Sequence, residues 1–275
     1  MVFGAPFDGT VSHRAGTRLA PGAIRRESYN FETFLYEYGI DLVNISIHDG
    51  GDLEFSPGIK PALEKIQQYT KLLGIQEKFP VMLGGEHSLT LAAVKGLLAS
   101  YPDAENDPPF GVVVLDAHLD FRRQYENEKY SHACITRRLT ELVGIRNVIP
   151  IGIRSMSVEE YDEVGGSGLK YYDMSMVEEM GMQLLLEDVK DLLPHDRYYL
   201  SIDMDALDPS YAPGVGNPEP YGLSPIQARQ TIEFLSPDLV GFDIMEISPP
   251  YDNGNTAALA ARFVRSAIAL NAKSK

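Results

Sequence analysis

The sequence predicts an α/β protein with a mostly parallel sheet of about eight strands and helices on both of its faces. Two observations predict this class. Short apolar runs with the length of buried strands recur along the whole chain. Segments with apolar residues at intervals of three and four, as in amphipathic helices, separate most of these runs. Strands that alternate with helices pair in parallel, and the helical crossovers cover both sides of the sheet.

The apolar pattern predicts each element in order. The predicted strands are residues 1–4, 42–47, 80–83, 111–115, 148–153, 169–172, 198–202 and 239–244. The predicted helices are residues 59–75, 89–98, 177–193, 225–234 and 256–270. Two segments rich in Pro and Gly, 209–220 and 248–255, follow strand ends, where the loops of open α/β sheets build binding sites.

Length and composition predict one soluble domain over residues 1–275. The chain has 275 residues, 44% of them hydrophobic, which is enough for one large core. It contains no low-complexity linker, and no apolar segment approaches the roughly 20 residues of a membrane-spanning helix. The N-terminal residues lack the pattern of a secretion signal, and the single cysteine, Cys134, excludes an intrachain disulfide. We therefore expect a cytoplasmic protein without a membrane partner.

The net charge of -15 argues against nucleic acid as a partner, because no cluster of Lys and Arg stands out to bind phosphates. Cations fit this charge better. An acidic surplus often serves solubility alone, so the charge by itself decides little.

Acidic residues and a histidine lie at the ends of two predicted strands. The run VVVLDAHLD ends in Asp116, His118 and Asp120, and the run YYLSIDMD ends in Asp203 and Asp205. If the chain stays extended, a spacing of two places these side chains on one side of the strand. Burial of so many carboxylates without a positive partner would be costly. The two strand ends therefore predict a shared metal cluster.

A second histidine joins this set. In VMLGGEHSLT, a strand, a Gly-Gly turn and a helix follow one another, and they place His87 at the same edge of the sheet. The six residues supply two imidazoles and four carboxylates, enough for two divalent ions. A set rich in oxygen suits Mn2+ better than zinc. Two close metals would activate water, so the predicted reaction class is hydrolysis.

Two further residues are candidates for chemistry. His132 lies in a loop that can fold back over the cluster, so it is either a proton shuttle or a surface histidine. Glu246 ends the strand VGFDIME just before a Pro-Pro turn. There it either anchors an amidine or guanidinium through paired hydrogen bonds or serves as a neighbour of a helix cap.

Together these motifs resemble the ureohydrolase (arginase/agmatinase) superfamily. The resemblance rests on GGEHS, DAHLD, SIDMDALDP with the following APG, and EISPPYDNGNTAALAA, and on an N-terminal segment at residues 7–28. It implies a three-layer α/β/α fold of the arginase/deacetylase type and two Mn2+ ions per subunit. It also implies hydrolysis of a small cationic guanidino substrate by a hydroxide that bridges the metals, with release of urea.

The resemblance also implies roles for the predicted ligands. Asp116 and Asp203 match the carboxylates that bridge the metals. The other ligands divide between the ions, His87 and Asp120 on one and His118 and Asp205 on the other. His132 matches the proton shuttle, and Asp120 would also pass a proton from the hydroxide to the leaving amine.

Within the family the chain looks most like agmatinase, which converts agmatine to putrescine and urea in polyamine biosynthesis. Ala212-Pro213-Gly214 and Pro218-Glu219 follow that pattern. Residues 121–131 replace the small polar loop with which arginases bind the amino acid head group. The chain departs from agmatinases after His132, where residues 133–135 are Ala, Cys and Ile.

Several alternatives stay open. Arg122 or Arg123 could bind a carboxylate, which would favour arginine, a guanidino acid or a formimino compound, although we expect neither to face the metals. Glu219 is one candidate acceptor for the distal amine of agmatine. Outside the substrate question, the chain could be a non-catalytic ureohydrolase-like binding subunit, a binuclear phosphoesterase or a deacetylase. The filled ligand set and its motifs argue against these. Family members are trimers or hexamers, so we expect a homo-oligomer.

Overall fold

The structure, a computed structural model, describes residues 1–102 and 108–274. Residues 103–107 and 275, which the predicted domain includes, lie outside the described residues. None of the described helices combines the length and the apolar character that crossing a membrane would require.

Eight parallel strands form the central sheet. Its order is β4-β1-β5-β10-β9-β6-β7-β8, and a separate antiparallel hairpin pairs β2 with β3. The strands are β1 Val2–Gly4, β2 Phe34–Leu35, β3 Ile40–Asp41, β4 Asp49–Asp52, β5 Val81–Leu83, β6 Gly111–Leu115, β7 Val148–Ile153, β8 Tyr172–Asp173, β9 Tyr198–Asp203 and β10 Leu239–Met245. Every residue of β5, β6, β7, β9 and β10 is buried, as expected for strands covered on both faces.

Helices cover both faces of the sheet. They are α1 Ala20–Ser28, α2 Ile59–Ile75, α3 Thr90–Leu98, α4 Ile135–Val143, α5 Val158–Ser167, α6 Met174–Met180, α7 Met182–Leu192, α8 Pro225–Leu235 and α9 Asn255–Lys273. In β6, Val112 and Val114 join the core under α2, α3 and α4, whereas Val113 and Leu115 join the core under α1, α7, α8 and α9. This alternation follows the twofold periodicity of a strand. The predicted three-layer α/β/α class with eight strands is confirmed.

The structure corrects three of the predicted elements. Of the strand predicted over 169–172, only Tyr172 lies in a strand, β8. Residues 42–47 do not form a strand. Leu42–Asn44 is a short 3-10 turn, and the Asp41 side chain accepts a hydrogen bond from the amide of Val43 at its start. The strand at the sheet edge is instead β4, whose sequence DGGD has no apolar residue to reveal it. The helix predicted over 177–193 is two helices, because Gly181 between them has a φ of 73°.

Sequence periodicity missed other elements altogether. Helices α1, α4 and α5 and the β2–β3 hairpin were not predicted. These helices are only 9 or 10 residues long and carry several charged residues each. Helix α3 is as short, but its sequence TLAAVKGLL is mostly apolar, which made it recognisable.

The sheet order brings four strand ends to one place. Strands β5, β10, β9 and β6 are consecutive neighbours. Their registers are level at the carboxyl ends, where Leu83 pairs with Ile244, Met245 with Asp203, and Leu115 with Ile202. Side chains that follow these strands therefore converge at the middle of one sheet edge.

Candidate metal centre and substrate cavity

Five of the six predicted metal ligands lie at this edge, in two groups that share the carboxylate of Asp116. In the first, His87 Nδ1 is 3.1 Å from an oxygen of Asp116 and 3.1 Å from an oxygen of Asp203. In the second, His118 Nδ1 is 3.0 Å from Asp205 and 3.7 Å from the other oxygen of Asp116. Within each group the ligand atoms lie within 4.8 Å of one another, so each could hold a cation.

Local backbone contacts fix the carboxylates of both strand ends. The amide of His118 donates to Asp116 at 2.7 Å, and the amide of Asp205 donates to Asp203 at 2.9 Å. The amide of Ala117 reaches across to Asp205 at 3.2 Å, which ties the end of β6 to the end of β9. The same spacing of two residues thus produces the same turn twice.

The chemistry of these groups fits a pair of divalent cations. Within the described residues, His87 Nδ1 and Asp116 Oδ2 are buried and lie 3.1 Å apart, yet neither atom makes a hydrogen bond. Burial, followed by the charge of Asp205, raises the pKa of Asp203 well above its usual range. Burial opposes ionisation of Asp116 too, but the rings of His118 and His87 hold its pKa below the usual range. Crowded carboxylates that repel one another are stabilised by a cation, and oxygen-rich sets with imidazole suit Mn2+.

A buried network behind His87 sets the direction of its ring. Ser201 Oγ lies 3.0 Å from His87 Nε2 and donates to Asp243 at 2.5 Å. Thr90 and Tyr199 both donate to the second oxygen of Asp243 at 2.8 Å. Because Nε2 faces Ser201, Nδ1 faces the carboxylates, as in histidine ligands oriented by a hydrogen bond at the other nitrogen.

Asp120 belongs to neither group. Its φ of +50° turns the chain, so the alternation that places Asp116 and His118 side by side ends before it. Its carboxylate lines the adjoining cavity. Burial, followed by the charge of Asp116, raises the pKa of Asp120 well above its usual range. Its predicted role as a ligand rests on the resemblance alone.

A cavity of about 160 Å³ opens next to the cluster. Its walls come from the ends of β6, β9 and β10 and from the loops after β1, β6, β7 and β9. They include Ser12, His118, Asp120, Arg122, Tyr125, His132, Ser155, Asp203, Asp205, Asn217 and Glu246. The volume suits one small polar group held against the acidic cluster.

Glu246, the predicted substrate anchor, is one of the residues that line this cavity. Its φ of +62° is uncommon for a residue with a side chain. One carboxylate oxygen accepts the amide of His87 at 2.7 Å. Burial, followed by the charge of Asp203, raises the pKa of Glu246 well above its usual range. A guanidinium would supply the missing positive charge.

His132 is buried at the cavity wall and is not a surface histidine. It begins a 3-10 turn that leads into α4. Burial lowers the pKa of His132 to about 4, so its ring is neutral near pH 7. A neutral imidazole can accept a proton and later return it.

The two arginines of the 121–131 loop lie in different places. Arg123 is exposed and pairs with Glu163 at 2.9 Å. Arg122, which we expected not to face the metals, lines the cavity, with Nε 3.4 Å from Glu160 and its guanidinium 5.3 Å from the centre of the Tyr125 ring. Both oxygens of Glu160 already accept backbone amides, from Phe121 and Ser157.

Glu219 lies beside the cluster, with one oxygen 3.7 Å from His118 Nε2. Arg154, which the sequence analysis missed, holds the loop of Glu219 in place. The Arg154 guanidinium donates to the carbonyls of Asp205 at 2.7 Å and Glu219 at 2.7 Å. The sequence did contain a signal for Arg154. It is a cation that directly follows the apolar strand VIPIGI, in a chain whose other strand ends are acidic.

Comparison with known proteins agrees with this geometry. The model of the Arginase family matches residues 1–270. The N(1)-aminopropylagmatine ureohydrolase of Thermococcus kodakarensis is 35% identical over 99% of this chain and 91% of its own. An agmatinase of Bacillus cereus is 32% identical over 98% of this chain and 90% of its own.

Solved structures give the same result. The agmatine ureohydrolase of Thermoplasma volcanium superimposes with a TM-score of 0.91 at 41% identity, over 98% of this chain and 88% of that one. The family match, the relatives and the fold agree along nearly the whole chain. The chain therefore belongs to the arginase family and is a hydrolase of that family.

Proposed function

We propose that the protein hydrolyses agmatine to putrescine and urea with two Mn2+ ions per subunit. The observation that carries this proposal is the pair of three-residue groups that share Asp116, open to a cavity whose wall carries Glu246. Similarity to proteins named agmatinase and agmatine ureohydrolase supports the choice of substrate. Fold alone would not support it, because function belongs to the site.

Each side chain takes a role that its position allows. The six predicted ligands would hold the cations: His87, Asp116, His118, Asp120, Asp203 and Asp205. When bound, two divalent ions would lower the pKa of a water at this site and would thereby supply a nucleophile at neutral pH. Glu246 binds the guanidinium through the carboxylate oxygen that does not accept the His87 amide.

The proton transfers fall to the two remaining residues of the cavity. The water oxygen bonds to the guanidinium carbon, and the bond from that carbon to the alkyl nitrogen breaks. The water oxygen loses both of its protons as urea forms: Asp120 passes one to the leaving amine, which departs as putrescine, and His132 takes the other. His132 exchanges protons between the cavity and solvent, because it is neutral near pH 7 and lies beside the exposed Ser12.

A second candidate substrate class is a guanidino acid. Arg122 is the observation that favours it, because its guanidinium lies in the cavity wall and its nearest carboxylate, Glu160, already serves two backbone amides. A carboxylate at the distal end of the substrate would suit this arginine, whereas the ammonium of agmatine would be repelled. Glu219 would balance that repulsion if it accepts the distal amine.

Four further properties are part of the same proposal. We infer a cytoplasmic homo-oligomer, trimeric or hexameric, in which each chain forms one domain. Apolar side chains on the 29–47 segment support self-association, since Tyr29, Phe34, Tyr36, Val43 and Ile47 are all exposed. Putrescine as the product would place the enzyme in polyamine biosynthesis.

A panel of substrates tests the proposal. Protein stripped of metal and reloaded with Mn2+ is assayed for urea release from agmatine, N1-aminopropylagmatine, arginine and 4-guanidinobutanoate. Agmatine should give the highest kcat/KM. A preference for 4-guanidinobutanoate would establish the second candidate, and a preference for arginine would indicate an arginase. Absence of urea from all four, with two Mn2+ ions bound, would exclude the proposed activity.

A further inference from the structure

A residue far away in the sequence holds the imidazole of His132. The His132 amide donates to Thr10 Oγ1 at 3.1 Å, and the same hydroxyl lies 3.3 Å from His132 Nδ1. Thr10 therefore touches both the backbone and the ring of this histidine. The other ring nitrogen, Nε2, lies 3.4 Å from Ser12 Oγ, and Ser12 and His132 both line the catalytic cavity.

Thr10 is itself held by a fully buried carboxylate. Glu86 accepts the Thr10 amide at 2.6 Å on one oxygen and the Thr10 hydroxyl at 2.7 Å on the other. Ser88 donates to the second oxygen at 2.5 Å. Two simultaneous bonds from one carboxylate fix both the backbone position of Thr10 and the direction of its O–H bond.

The single hydroxyl proton of Thr10 determines whether Thr10 can donate or accept a hydrogen bond toward His132. A hydroxyl has one proton and two acceptor sites. The proton of Thr10 is donated to Glu86, so toward His132 Nδ1 the hydroxyl can only accept. The geometry is then favourable only if Nδ1 carries the ring proton. Ser131 Oγ, 3.4 Å from the same nitrogen, can rotate to accept as well.

We propose that Thr10, fixed by Glu86, is a positioning residue that holds His132 with its proton on Nδ1 and leaves Nε2 unprotonated on the cavity side. The proposal rests on the proposed function of His132 as a proton-transfer group. An imidazole with the other tautomer or a rotated ring would present a donor where an acceptor is needed.

The test compares three variants as manganese-loaded enzymes with agmatine. Thr10→Val keeps the shape and loses the hydroxyl. Thr10→Ser keeps the hydroxyl and loses the methyl group. Ser131→Ala is the matched control. It removes a hydroxyl that also lies near His132 Nδ1, but Glu86 does not hold that hydroxyl in place. The measured quantities are kcat, KM and bound manganese.

The expected result is a fall in kcat of about tenfold to a hundredfold in Thr10→Val, with KM within about twofold of the parent, since a positioned acid–base group contributes roughly a hundredfold or more. Thr10→Ser should restore most of kcat, and Ser131→Ala should lower it by less than about threefold. Manganese content should stay at the parent level in all three.

Other outcomes overturn the inference. Parent-like kcat in Thr10→Val would show that the hydroxyl does not position the ring. An equal fall in Thr10→Ser would assign the effect to methyl packing, and a loss of manganese would assign it to the ligands. These results are distinct from failure of the proposed function, in which the parent enzyme itself releases no urea.

Discussion

The side chain of Glu246 accepts a hydrogen bond from the backbone amide of His87 at 2.7 Å. This bond joins the end of β10 to the turn after β5, so the proposed substrate anchor and a proposed metal ligand are fixed relative to each other. Glu246 makes this bond with a φ of +62°, a conformation that is uncommon for a residue with a side chain.

Glu246→Gln should therefore separate substrate binding from metal binding. Glutamine keeps an oxygen for the His87 amide but loses the charge that faces the guanidinium. We expect kcat/KM for agmatine to fall about tenfold to 150-fold, since a hydrogen bond to a charged group contributes about 1.5–3 kcal/mol. Steady-state kinetics measures the fall, and manganese content is the control. Unchanged kcat/KM would rule out Glu246 as the anchor.

Asp116 is the carboxylate that both three-residue groups share. Asp116→Asn should abolish tight binding at both metal positions, whereas His118→Asn should weaken only the group that contains Asp205. Elemental analysis after removal of unbound metal measures the stoichiometry. We expect less than one Mn2+ per chain for Asp116→Asn and about one for His118→Asn. Two ions retained by Asp116→Asn would contradict the shared-ligand arrangement.

Arg122 and Arg123 are neighbours with different surroundings, so they form a matched pair. Arg122→Gln removes a positive charge from the cavity wall, and Arg123→Gln removes one from an exposed pair with Glu163. We expect Arg122→Gln to raise the ratio of kcat/KM for agmatine to that for 4-guanidinobutanoate by about tenfold, because repulsion of the ammonium and attraction of the carboxylate are both lost. Arg123→Gln should leave the ratio unchanged. An equal ratio in both variants would show that Arg122 does not act on the distal end of the substrate.

His132 gives the metal-free protein a defined dependence of stability on pH. Burial lowers its pKa in the folded state to about 4, below the value of about 6.5 in the unfolded chain. The unfolded state therefore binds the proton first, so the stabilising contribution is complete above about pH 6.5 and is lost as the pH falls toward 4.

At pH 5 this loss amounts to about 2 kcal/mol of the free energy of unfolding. Urea denaturation of metal-free protein at pH 7.5 and pH 5 should show it, and His132→Asn should reduce the difference between the two pH values by that amount. Metal-free protein is required because metal binding itself depends on pH. The same pH dependence in His132→Asn would mean that other groups cause it.

The sequence predicted much of the site because strand ends are local signals. Asp116, His118, Asp203 and Asp205 each follow an apolar run at a spacing of two, and parallel strands bring their ends to one edge. His87 and Glu246 were found for the same reason. All of these side chains lie near one another at the predicted edge, and the α/β class is correct.

The rest depended on information that local patterns do not contain. Asp120 lies outside both metal-ligand groups, at a residue with a positive φ. An aspartate in the sequence does not indicate that its φ is positive. Strand β4 has no apolar residue. Residues 42–47 are mostly apolar, yet they do not pair with any strand of the sheet. Thr10 touches His132 across 122 positions of sequence, and the position of Arg122 depends on how its loop folds. Such contacts are set by tertiary packing, which overrides local propensity.

Titration of metal-free protein with Mn2+, with urea release from agmatine recorded at each step, tests the central claim most directly. The account predicts that activity rises until two equivalents are bound per chain and then stays constant, because both groups around Asp116 must be filled. Saturation of activity at one equivalent would contradict the two-metal centre, and absence of urea at two bound equivalents would contradict hydrolysis of agmatine.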